Sequence, residues 1–127
     1  MSVSLGKVLV VEDDLSVSRA LARAIRSLGY DVTTFETGED LLRCTLVANP
    51  AALLLDFHLP GLSGADLIMA LRHHFPDLHI IMMTGRDMSG AREACLSAGA
   101  AVYLTKPISR AELGQVLGAA SFDPEEQ

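Results

Sequence analysis

The chain has no tryptophan and only two tyrosines and four phenylalanines. Aromatic stacking therefore contributes little to its interior. A core has to come from Leu, Val, Ile, Ala and Met, in a composition that is 50% hydrophobic. Cysteine is equally scarce. Cys44 and Cys95 lie far apart and form no metal or redox motif, which excludes a disulfide framework and fits a reducing, cytoplasmic setting. The histidines lack ligand spacing as well: His73 and His74 are adjacent on a helix and diverge, and His58 and His79 are isolated. No run of Lys or Arg occurs, and the net charge is -6 with a pI near 5.0, so no direct nucleic-acid binding by this chain is expected. No apolar stretch approaches the roughly 20 residues of a membrane span, and residues 1–7 lack a signal-peptide core, so no membrane association is expected.

What is present is a set of short apolar runs. Val8–Val11, Ala51–Leu55, Ile80–Met83 and Ala101–Leu104 are continuous and partly β-branched, the signature of strands covered on both faces. Asp31–Phe35 alternates and reads as a further strand at an edge. Segments of helical period lie between them. Val17, Leu21, Ile25 and Leu28 form one stripe, stopped by Gly29. Thr37-Gly38-Glu39-Asp40 opens a helix expected to run to about Val47, ended by Asn49-Pro50. Leu67, Ile68 and Leu71 define a third helix, Ala91, Ala94, Cys95 and Ala98 a fourth closed by Gly99, and Leu113, Val116, Leu117 and Ala120 a fifth capped by Ser109. Five βα units imply an α/β fold, a doubly wound parallel sheet with helices on both faces and right-handed crossovers. Residues 1–127 are expected to form a single domain, with its core over about 6–120 and an acidic tail at 121–127.

The runs end in groups suited to phosphate chemistry. Val8–Val11 leads into Glu12-Asp13-Asp14, Ala51–Leu55 into Asp56, Ile80–Met83 into Thr84-Gly85, and Ala101–Leu104 is followed closely by Lys106-Pro107. In an open α/β sheet these ends face one crevice. Carboxylates gathered there repel one another unless a cation intervenes, and hard oxygen ligands select Mg²⁺ or Mn²⁺. A carboxylate beside such a cation can act as a nucleophile toward phosphorus. The Lys106 ammonium can neutralise phosphoryl charge, and the Thr84 hydroxyl can donate to a phosphoryl oxygen. The set suits reversible phosphorylation of Asp56. Asp14 reads as a helix cap or a solvated acid rather than a ligand, and Pro60-Gly61 and Ser63-Gly64 as turn and helix entry.

Val10-Val11-Glu12-Asp13-Asp14, Leu55 to Gly64, Met83-Thr84-Gly85 and Gly99 to Pro107, in that order, resemble the motifs of the receiver domain of bacterial two-component response regulators, over roughly residues 6 to 120. The resemblance implies a flavodoxin-like sheet of order 2-1-3-4-5 and a phosphorylation-dependent signalling switch rather than an enzyme acting on outside substrates. Asp56 would accept a phosphoryl group from a sensor histidine kinase or phosphotransfer protein. Asp13, Asp56 and the His58 carbonyl would bind Mg²⁺, with Glu12 acting largely through bound water. Thr84 and Lys106 would hold the phosphoryl oxygens, and Tyr103 would change rotamer with Thr84. The Lys106–Pro107 bond is expected to be cis. His58 and Arg86 occupy positions that modulate dephosphorylation in the family, and Arg86 is expected to reach or shield the phosphoryl group. The output would be an output domain or partner protein, or a homodimer, through a face of helix 4, strand 5 and helix 5.

Three alternatives remain at the level of sequence. An aspartyl-nucleophile phosphohydrolase of the haloacid dehalogenase type would place its nucleophile after the first strand, in Asp-x-Asp; here Asp56 follows the third, and residue 58 is His. A flavodoxin-like FMN protein would need a Ser/Thr/Gly-rich phosphate loop after the first strand. A receiver-shaped scaffold that binds a partner without phosphorylation would not need the acid–Thr–Lys set. No helix-turn-helix or catalytic output segment follows the fifth helix, so a stand-alone receiver or a piece of a longer regulator is expected.

Overall fold

The structure, a computed structural model, describes residues 4–44, 49–59 and 64–121. Strands and helices alternate along the chain: β1 (Lys7–Val11), α1 (Leu15–Ser27), β2 (Asp31–Phe35), α2 (Gly38–Arg43), β3 (Ala52–Asp56), α3 (Gly64–His74), β4 (His79–Thr84), α4 (Ala91–Ala98), β5 (Val102–Thr105) and α5 (Arg110–Ser121). All pairings are parallel, and the strand order is β2-β1-β3-β4-β5. The order reverses between β1 and β3, so the chain leaves these two strands in opposite directions and opens a crevice beyond their C-terminal ends.

The apolar runs are strands because they are buried on both sides. Val8 to Val11 and Ala52 to Leu55 are all 0% exposed. Alternate residues feed two separate cores. Leu9, Val11, Leu53, Leu55, Ile80 and Met82 pack with Leu67, Ile68 and Leu71 of α3 and Cys95 of α4. Val8, Val10, Ala52, Leu54, Ile81 and Met83 pack with Leu21 and Ile25 of α1 and Leu113 and Leu117 of α5. Two helix layers thus sandwich the sheet.

Local chemistry sets the helix ends. Asp14 caps α1, its carboxylate accepting from Ser16 N at 2.9 Å and Val17 N at 3.2 Å. Gly29, at φ +104°, and Gly99, at φ +121°, follow α1 and α4 in backbone conformations that favour glycine. Ser109 and Glu112 form a reciprocal capping box at the start of α5: Glu112 N donates to Ser109 Oγ at 3.1 Å and Ser109 N to Glu112 Oε1 at 3.1 Å.

Two expectations are corrected. The second helix ends at Arg43, where Cys44 turns extended at ψ 116° rather than continuing toward Val47; residues 45–48 lie outside the described segments. In α4, Ala91 and Cys95 face the core but Ala94 is exposed, because an eight-residue helix with small side chains presents a narrow buried stripe. Residues 60–63, with the expected turn, and the acidic tail beyond Ser121 also lie outside the described segments.

Leu54 is 0% exposed in the central strand. Leu54→Ala is expected to cost about 2–5 kcal/mol of stability, measured by urea denaturation as a lower midpoint at unchanged slope.

Candidate functional site

β1, β3 and β5 each deliver one member of a charged cluster. The β1 ladder ends at Val11, so Glu12 emerges at the crevice, 1% exposed, its backbone N–H donating to Phe35 O at 3.0 Å. Asp56 closes β3 at 5% exposure. Lys106 follows β5, where its backbone N–H donates to Thr84 O at 2.7 Å and its peptide bond to Pro107 is cis. The Lys106 Nζ lies 2.5 Å from Glu12 Oε1 and 3.1 Å from Asp56 Oδ2, so a single ammonium bridges two buried carboxylates. The free oxygens are also engaged: Asp14 N donates to Glu12 Oε2 at 3.2 Å and His58 N to Asp56 Oδ1 at 3.0 Å. Exposed Asp13 completes an acidic group in which one oxygen each from Glu12, Asp13 and Asp56 lies within 4.8 Å of the others.

Two negative groups share one positive charge in a buried place. Burial pushes the Glu12 carboxyl up to about 7, and the adjacent Asp56 carboxylate adds to the rise against the opposing pull of Lys106. Burial acts on Asp56 in the same sense, but the hydrogen bonds from His58 N, from Glu12 and from Lys106 outweigh it and hold Asp56 below the ordinary aspartate value. Lys106 moves upward despite burial, because both acids favour its charged form. Of the two acids, Glu12 is the one that holds a proton more readily and Asp56 the one that ionises first. Three converging carboxylates with unneutralised charge fit a hard divalent cation.

Thr84 is 0% exposed, and its hydroxyl is bonded within the β4–α4 loop. It donates to Arg86 O at 2.6 Å and accepts from Arg86 N at 3.1 Å, while His58 Nε2 lies 2.9 Å from the same oxygen and 3.1 Å from Arg86 O. With the hydroxyl proton committed to Arg86 O, both contacts of the imidazole are satisfied by an Nε2–H donor. Arg86 thus enters through its backbone, with an exposed side chain. Tyr103 is buried, and its hydroxyl donates to Asp87 Oδ1 at 3.0 Å. Asp87 was not anticipated: its partner lies 16 residues away across the β4–β5 pairing, and an acid in an exposed loop carries no local signal.

The family and the fold are matched by comparison with known proteins. Residues 8–118 match the family described as "Response regulator receiver domain". The chain belongs to the response regulator receiver family. A curated relative, the transcriptional regulatory protein PrrA of Mycobacterium leprae, is 39% identical over 111 residues, which is 87% of this chain and 48% of PrrA. The receiver therefore spans about half the length of the curated relatives it matches. Among solved structures, the receiver domain of the sensor histidine kinase PA1611 of Pseudomonas aeruginosa PAO1, described with a magnesium ion coordinated in its active-site cleft, has a TM-score of 0.81 at 34% identity, covering 91% of this chain and 97% of that one. A response regulator from Chloroflexus aurantiacus has a TM-score of 0.83 at 33% identity, covering 91% and 97%. A phosphorylation-dependent switch is the standard function of this family, and receivers bind Mg²⁺ in the acidic site. Among the described residues no helix is long and apolar enough to cross a membrane.

The two acids titrate in different windows. The folded state holds a proton on Glu12 that the unfolded chain releases near 4.5, so this site's contribution to metal-free stability is full below about 4.5 and is lost as pH rises to about 7. Asp56 contributes in the opposite sense: its stability is present above 3.8 and is lost as pH falls below it. Urea melts across this range are expected to show stability falling from mildly acidic to neutral pH, a fall that Mg²⁺ or Glu12→Gln flattens. The same decline in Glu12→Gln would assign it to another group.

Proposed function

We propose that residues 1–127 act as one receiver whose phosphoacceptor is Asp56, with Mg²⁺ (or Mn²⁺) held by Asp13, Asp56 and the His58 carbonyl and influenced by Glu12. The observation that carries this reading is the Lys106 ammonium set between Glu12 and Asp56, 2.5 and 3.1 Å away, beside a third carboxylate. Asp56 is the group held below its ordinary value, so it is the ionised, nucleophilic carboxylate of the pair.

The chemistry follows from these positions. A carboxylate oxygen of Asp56 forms a bond to the phosphorus of a phosphohistidine on a kinase or phosphotransfer protein. The phosphorus–nitrogen bond breaks, and its electron pair returns to the donor imidazole, which then takes a proton from solvent. Lys106 neutralises charge on the transferred group. A bound divalent cation would supply further neutralisation of the phosphoryl oxygens. Thr84 has to exchange its bond to the Arg86 carbonyl for one to a phosphoryl oxygen. Release of that hydroxyl loosens the grip of His58 on the β4–α4 loop, and the α4–β5–α5 face changes with it. This population shift would be read by an output domain, a partner protein or a second receiver. The chain performs self-phosphotransfer and autodephosphorylation only, without turnover of an outside substrate, and works in the cytoplasm without direct contact with nucleic acid or membrane. His58, through its clasp on Thr84, and Arg86, through the loop backbone, modulate how long the acyl phosphate lasts.

Incubation with acetyl phosphate and Mg²⁺, read by intact mass spectrometry, is expected to add one phosphoryl group to the wild type and none to Asp56→Asn. An equal gain in Asp56→Asn would place the acceptor elsewhere, and no gain in the wild type would favour a scaffold that works without phosphorylation. Lys106→Met is expected to slow phosphorylation at least tenfold while leaving the fold intact.

A further inference from the structure

Tyr103 packs in the core formed with α3 and α4 and is 6% exposed, so its phenol body is fixed by burial while its hydroxyl needs a partner. That partner is not a core group. The hydroxyl donates to Oδ1 of Asp87, in the β4–α4 loop three residues beyond Thr84, at 3.0 Å. Residues 85–90 of this loop are exposed, and its described side-chain ties to the rest of the fold lie at Thr84 and Asp87. At the first, the Thr84 hydroxyl is committed to the Arg86 carbonyl and faces His58. At the second, Asp87 holds Tyr103 inward. The two anchors adjoin, since the Thr84 side chain also acts on the Tyr103 hydroxyl as a hydrogen-bond partner.

We propose that Asp87 is a positioning residue that holds Tyr103 inward before Asp56 is modified, so that the aromatic half of the switch is already set in the resting receiver. This rests on the reading of Tyr103 as the switch aromatic and adds the group that determines its resting position. The role depends on an acceptor oxygen within reach of the phenol. An amide oxygen meets it; a methyl group does not. Without the acceptor the hydroxyl keeps only the Thr84 side chain in a buried position, or turns outward to water with its ring.

Because the chain contains two tyrosines, labelling with 3-fluorotyrosine gives two fluorine resonances, and Tyr103→Phe assigns them. In resting protein, Asp87→Ala is expected to shift the Tyr103 resonance toward that of free fluorotyrosine and to raise its relaxation by a soluble paramagnetic probe severalfold. Asp87→Asn is expected to match the wild type on both measures, and the Tyr30 resonance should stay in place in every variant, reporting an intact fold. Should Asp87→Ala fail to fold, Asp87→Ser, whose shorter side chain withdraws the acceptor, is read in the same way. An unchanged Tyr103 resonance in the folded Ala or Ser variant, or a loss in Asp87→Asn as large as in Asp87→Ala, overturns the proposal. Beryllofluoride with Mg²⁺ separates this from the functional reading. If it returns Tyr103 inward in Asp87→Ala, both stand. If Asp87→Ala releases Tyr103 and beryllofluoride leaves it outside, the tether stands and the switch reading of Tyr103 falls.

Discussion

The Lys106 ammonium between Glu12 and Asp56 is the interaction on which the rest of the site depends. Two carboxylates that are 1% and 5% exposed cannot both ionise side by side without compensation. One cation, at 2.5 and 3.1 Å, supplies part of it, and the raised proton affinity of Glu12 reflects the remainder. The lysine comes from β5, two strands away from β3 in the sheet, so the bridge exists only because the order β2-β1-β3-β4-β5 brings three strand ends to one rim. An apolar groove of about 490 Å³, lined by Val17, Leu21, Met83, Ile108 and Leu113, also has Lys106 in its wall, so the lysine stands between apolar surface and the acids. The charge is thereby directed at the acids.

Strand parity divides the labour. Asp56 continues the register of Ala52 and Leu54, whose side chains pack toward α1 and α5, and Glu12 continues that of Val8 and Val10. Thr84 continues the register of Ile80 and Met82, which pack toward α3 and α4 with Tyr103. The acids that take up charge and the groups that report it therefore leave the sheet with opposite parity. That separation accounts for the Thr84 hydroxyl meeting His58 and Arg86 on the α3–α4 side of the sheet.

How far the sequence revealed this arrangement depended on how local each feature is. The central strands were legible because burial on both faces forces an unbroken apolar run, as in Leu53-Leu54-Leu55. The caps at Asp14 and Ser109 were legible because their bonds span two or three residues. The end of α2 was not: Asn49-Pro50 reads as a stop, but Cys44 already leaves helical geometry. Ala94 followed the helical period and still faces solvent, since Ala is at home on either face. In the site, residue identities and strand ends pointed to the acids, Thr84 and Lys106, but not to the partners that hold Thr84 and Tyr103 at rest. His58 and Thr84 are 26 residues apart, and Tyr103 and Asp87 are 16 apart; such pairs are created by register and have no local pattern.

The resting hydrogen bonds also bound the size of the switch. In the proposed mechanism Thr84 would give up a neutral bond to the Arg86 carbonyl for a charge-assisted one to a phosphoryl oxygen. A net gain of about 1 kcal/mol is the difference between typical values for the two kinds. That corresponds to roughly a fivefold change in population, whereas driving a two-state equilibrium from 1:99 to 99:1 needs about 5.5 kcal/mol. Thr84 alone therefore biases the receiver without throwing it fully over. The remainder has to come from Lys106, which exchanges two buried carboxylates for a group carrying more charge, and from contacts made only when a partner covers the α4–β5–α5 face. On that reading the receiver would respond in two stages, a partial shift on phosphorylation and completion on binding.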